Sequence, residues 1–77
     1  LMGLFDKKED KNYIVVDAYN GDVLTTCVTK ELKQISQVQV TVKFIECTEY
    51  EAFKFKEHGK APDDLTKRKA YSFKEIK

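Results

Sequence analysis

The stretch S-Q-V-Q-V-T-V-K-F-I-E, Ser36 to Glu46, decides how this chain is read. Val38, Val40, Val42 and Phe44 occupy every second position, with Gln37, Gln39, Thr41 and Lys43 between them. A strand sends successive side chains to opposite faces, so one face of this segment is apolar and the other polar until Ile45. A helix would scatter the same four residues around its circumference, and β-branched side chains suit a pleated, half-buried surface. The spacing predicts a strand over 37–46, inside a sheet, with its valine face as the floor of the core.

Upstream, N-Y-I-V-V-D-A-Y (12–19) and D-V-L-T-T-C-V-T (22–29) flank Asn20-Gly21, the pair best suited to a two-residue type I′ turn. With that short loop Tyr19 pairs with Asp22, Val16 with Thr25 and Ile14 with Cys27. Ile14, Val16, Ala18, Val23, Thr25 and Cys27 then face the core. If Asp22 joins the loop, the second strand slips by one and turns Leu24, Thr26 and Val28 inward. Between this hairpin and the valine stretch, T-K-E-L-K-Q-I (29–35) is a connection or a short helical turn, with Leu32 and Ile35 three apart.

Downstream, Thr48 and Glu51 match the capping box that opens a helix, and Gly59 supplies an end, with Lys54, Lys56 and His58 toward the last turn. These predict a helix over 49–58, although Phe53 and Phe55 alternate with lysines as a strand would. His58 to Thr66 holds the single proline and the Asp63-Asp64 pair, a surface loop. Lys69 to Ile76, with Tyr71 and Phe73 on one face, reads as a last strand.

The expected architecture is α+β: a small, mainly antiparallel sheet of four strands at about 12–19, 22–29, 37–46 and 69–76, with one helix packed on it. The alternative is an all-β five-stranded sheet or small barrel in which 50–57 is the fifth strand. Residues 1–11, where Leu4 and Phe5 precede the charged run D-K-K-E-D-K, are expected to form a flexible lead-in, and 12–77 one domain. A chain of 77 residues is too short for two cores or a deep pocket.

Composition narrows the function. Charged residues make up 35% and apolar ones 42%, values that suit a folded globular chain. A net charge of +1 argues against a general polyelectrolyte binder. No run reaches the roughly 18 apolar residues of a membrane span, and no apolar secretory leader precedes the hairpin. Met2-Gly3 lacks the Ser or Thr that N-myristoylation wants where Lys7 stands. Cys27 and Cys47 are expected as free thiols in the cytoplasm, with a disulfide between them left open.

Chemistry is sparse. The only histidine, His58, sits at a helix end, and Cys27, Cys47 and His58 lack the short spacings of a metal site, so no catalytic residue, metal or cofactor is expected. The three glycines are too dispersed for a phosphate loop. What remains is surface. Exposed tyrosines such as Tyr13 and Tyr19 would anchor a protein partner or a second copy, and sheet edges could accept another strand. Alternatively Lys67, Arg68, Lys69, Tyr71 and Lys74 interleave cations with an aromatic, a combination that holds single-stranded nucleic acid. From Lys67 to Lys77 five cations stand against Glu75, a local charge of +4. The leading expectation is a non-catalytic protein-interaction module or self-associating subunit.

Overall fold

The computed structural model describes residues 10–39 and 41–76. Within them the chain is α+β: β1 (Asn12–Asp17), β2 (Val23–Val28), α1 (Leu32–Val38), β3 (Val42–Cys47), α2 (Glu49–His58) and a single helical turn, α3 (Phe73–Ile76). Short 3-10 turns occupy Thr29–Glu31 and Leu65–Lys67. The three strands form one antiparallel sheet in the order β2-β1-β3.

The middle strand is therefore β1, not the valine stretch. Its run Tyr13-Ile14-Val15-Val16 is buried at all four positions, the signature of a strand covered on both faces. Tyr13 and Val15 pack with Cys27, Leu32, Val42 and Phe44 on one face, closed over by Ile35, Phe73 and Ile76 from α1 and α3. On the opposite face Ile14 and Val16 pack with Ile45, Cys47, Ala52 and Leu65, under α2 and the segment that follows it. The expectation that the chain is too short for two cores is thus corrected: two thin buried clusters share one sheet, one on each face.

The valine stretch divides. Val42 and Phe44 enter the first core as its spacing predicts, but Val38 ends α1 and is 77% exposed, and Val40 lies outside the described residues. Leu32, Ile35 and Val38 recur every three residues, and that helical spacing prevails up to the point where the chain turns at Thr41. Glu31 helps to start the turn, its carboxylate accepting the Val28 N–H at 2.9 Å.

The hairpin also departs from its expected register. Ile14 pairs with Thr26 and Tyr13 with Cys27, one residue out from the short-loop pairing, and a bulge shifts Val16 onto Val23. A type I′ turn needs positive φ at both central residues, yet only Gly21 (79°) has it. The loop instead widens to include Asp22. It is held by the Asp17 carboxylate, which accepts the Tyr19 and Asn20 N–H groups at 2.7 and 3.1 Å, and by the Asp22 N–H bonded to Asn20 at 2.8 Å. Thr25 and Cys27 consequently face away from Ile14, and Ala18 is exposed.

Helix α2 has the bounds its caps predict. Thr48 Oγ1 accepts the Glu51 N–H (3.0 Å) while Glu51 Oε1 accepts the Thr48 N–H (2.9 Å). Gly59 closes the helix in the left-handed region (φ 69°), its N–H donating to the Phe55 carbonyl at 2.8 Å. Since nothing lies within 4 Å of a Cβ placed there, Gly59→Ala should cost backbone strain alone, about 1 kcal/mol in a urea unfolding midpoint.

The last strand is not formed as expected over 69–76. Tyr71 makes a single antiparallel bridge to Phe44, through bonds of 2.7 and 2.8 Å, and the chain then turns into α3. Ser72 and Glu75 form a second capping box there, the Ser72 N–H donating to Glu75 Oε1 at 2.7 Å. That pairing opens a helix in the same way as Thr48 and Glu51. The lead-in expected over 1–11 lies outside the described residues except for Asp10 and Lys11; the Thr29 N–H donates to the Lys11 carbonyl at 3.0 Å.

Candidate functional site

Of the two tyrosines expected at a partner surface, Tyr13 is only 5% exposed, its ring edge-on to Phe44 at 6.4 Å between centroids, and it serves the core. Tyr19 is 86% exposed in the hairpin loop. Sheet edges offer less than a bare three-strand sheet would. The outer edge of β3 is occupied by Tyr71 and by Arg68 Nη1, which donates to the Glu46 carbonyl at 3.3 Å. On β2 the bulge between Val23 and Thr25 breaks the row of outward amides, and the Val28 N–H is bonded to Glu31. Bulges and capped ends are how edge strands avoid adding a neighbour, so recognition falls to side chains.

Those side chains gather at the hairpin end of the sheet. A groove of about 400 Å³ lies between β2, the end of α1 and the start of β3, lined by Asp17, Leu24, Val38, Gln39, Thr41 and Val42. A second hollow of about 260 Å³ shares Val38 and Gln39 with it and extends to Ile35 and Thr25. The bulge brings Leu24, 43% exposed, to the rim beside Val38. The Ala18 N–H, bonded to the Thr41 carbonyl at 2.8 Å, joins the loop that carries Tyr19 to the same end. Leu24 already faces away from the core in the short-loop register, whereas the strand spacing marks Val38 as inward; a helix carried through Val38 turns it about 120° from the buried Leu32.

The basic, aromatic set expected to hold nucleic acid does not share one strand. Arg68 is committed within the molecule: Nη1 and Nη2 donate to Glu51 Oε1 and Oε2 at 2.9 and 2.6 Å, and Nε donates to Asp64 at 3.1 Å. The guanidinium, followed by the Thr48 N–H, holds the Glu51 carboxyl down at about 2. Lys69 Nζ sits 5.4 Å from the centre of the Tyr71 ring, and the half-buried Tyr71 is backbone-bonded to Phe44. Lys67 lies on a 3-10 turn and Lys74 on α3, both exposed.

Neither of the two cysteines is activated by its surroundings. Burial, reinforced by Glu31, pushes the Cys27 thiol up to about 12, and burial with Glu51 pushes Cys47 to about 11. The two lie on β2 and β3 with β1 between, two strand spacings or about 9–10 Å apart. That exceeds the roughly 7 Å limit for a disulfide, and they face different cores, so both are free. His58 is exposed with its ring 6.5 Å from that of Phe53. Among the described residues no three potential metal ligands come together, and no helix is long and apolar enough to cross a membrane.

A remaining cleft of about 210 Å³ between α2 and the following loop mixes Lys54 and Lys60 with Glu51 and Asp63, without a dominant charge. Searches against protein families, curated proteins and solved structures return no match for this chain. The fold and site describe a small α+β protein with a three-strand antiparallel sheet, helical cover on both faces and, at one end, a groove of mixed polar and apolar lining.

Proposed function

We propose that this chain is a non-catalytic protein-interaction module whose partner seats an apolar side chain in the groove between Leu24 and Val38. The observation that carries this is Val38, an apolar residue left 77% exposed on a helix whose Leu32 is buried and Ile35 half-buried, and lining both hollows. Burying such a side chain against a partner is worth about 1.5–3 kcal/mol. Exposed Tyr19 provides an aromatic anchor at the same end. With both thiols pushed well above the ordinary cysteine range, neither serves as a nucleophile, and the role we propose is non-enzymatic, in the cytoplasm.

The test is capture of partners from an extract of the source organism by the wild-type chain and by Val38→Lys and Leu24→Lys. Lysine suits both positions, since cations are favoured at a helix C-terminus and tolerated at a strand edge. Both variants should keep the wild-type unfolding midpoint while losing tenfold or more of the captured protein. Undiminished capture by both would sink the groove, and a salt-sensitive shift of a single-stranded oligonucleotide would move the function to the basic residues. Light scattering showing a dimer abolished by Val38→Lys would make a second copy the partner.

A further inference from the structure

The segment between Gly59 and Tyr71 covers part of the second core without belonging to the sheet. Leu65 is buried in that core, and Ala61 and Ala70 pack against it. Its backbone bonds are local: Leu65 N–H to the Pro62 carbonyl, Lys67 N–H to Asp64, and Arg68 N–H to Leu65. No backbone hydrogen bond ties residues 60–70 to a strand, among the described residues. What fastens the segment is a small apolar contact, Leu65 with Ala61 and Ala70, and one polar clasp, Arg68. The clasp reaches α2 through Glu51, β3 through the Glu46 carbonyl, and its own segment through Asp64. The segment is bounded by a left-handed glycine at 59 and the single bridge at Tyr71.

We infer that residues 60–70 form a strap that opens as a unit about Gly59 and Tyr71, with Arg68 as its latch and the Cys47 thiol as the group it shields. Segments with few buried contacts and no shared ladder open locally at a fraction of the global unfolding free energy. Cys47 lies in the core that Leu65 closes, whereas Cys27 lies across the sheet beneath α1 and α3. The molecule therefore carries its own control: opening the strap exposes one thiol, and unfolding exposes both.

The experiment is iodoacetamide labelling of the full chain under native conditions, with the modified cysteine located by peptide mass spectrometry. In Arg68→Ala, Cys47 should label at least tenfold faster than in the wild type while Cys27 keeps its rate. An unchanged Cys47 rate in a folded variant would overturn the latch. If Arg68→Ala unfolds outright, the wild type in low urea decides the matter. A strap predicts that Cys47 labelling depends weakly on urea and Cys27 labelling steeply, because less surface is exposed in the smaller opening. Equal dependence for the two thiols would show that only global unfolding exposes Cys47, and the strap would be wrong.

Discussion

Glu51→Ala should lose about 2–4 kcal/mol of folding stability, a large part of what a domain of this size possesses. One carboxylate does two jobs there: it closes the capping box at Thr48 and receives both arms of the Arg68 fork. Its removal frees the Thr48 N–H and leaves a largely shielded guanidinium with only Asp64 and a carbonyl. The same pair sets a pH dependence. The Glu51 carboxyl titrates at about 2 in the folded protein against an ordinary 4.5, so the unfolded chain takes up the proton first as pH falls. Stability from this group is complete above about pH 4.5 and drains away toward pH 2, to the extent of about 1–3 kcal/mol. Glu75, also held below its usual range by the Ser72 N–H, works in the same direction, so the acid limb of the wild type alone is not diagnostic. Glu51→Gln isolates the effect, since it keeps a capping acceptor but cannot ionise. The gap between wild type and Glu51→Gln in urea midpoint should be widest near neutral pH and close by pH 2. A gap that is constant over that range would show that the clasp contributes no charge-dependent stability.

How much of this could be read from the chain depends on the distance over which each signal acts. Helix α2 was legible because its start and stop are written within four residues of each end: Thr48 with Glu51, and Gly59 after His58. The identical box at Ser72 and Glu75 was equally local, but the alternation of Tyr71 and Phe73 pointed to a strand and masked it. In the valine stretch two periods overlap. Leu32, Ile35 and Val38 follow the helix, Val42 and Phe44 the strand, and Val38 satisfies both patterns until the fold chooses. The central position of β1 was missed, because the alternation of the valine stretch outweighed the run Tyr13 to Val16, which leaves no polar residue for an outer face. The register hinged on a bulge, which no pattern of period two can announce. Arg68 and Glu51 stand seventeen positions apart, and only the folded chain brings them together. The groove shares that limitation, because Leu24 and Val38 line it from a bulged strand and a helix end rather than along one element.

The overlap of periods yields the sharpest test of the fold. If Val38, Val42 and Phe44 lined one strand face, truncating each to alanine would cost stability in proportion to its size. In this structure Phe44 is wholly buried, touching Tyr13 on one side and closed over by Phe73 and Ile76 on the other. Phe44→Ala should cost about 3–5 kcal/mol, enough to leave a large fraction of so small a domain unfolded. Val42→Ala, at a buried position nearer the sheet's end, should cost about 1–3 kcal/mol. Val38→Ala should change the urea midpoint by less than about 0.5 kcal/mol equivalent, and in the stabilising direction, because alanine is the better helix former and no core contact is lost. A cost for Val38 comparable to that for Val42 would restore the continuous strand over 37–46 and remove both α1's last turn and the groove it borders. Unchanged stability with weakened partner capture in the same variant would instead show that this exposed valine serves contact with another molecule, since it adds nothing to the core.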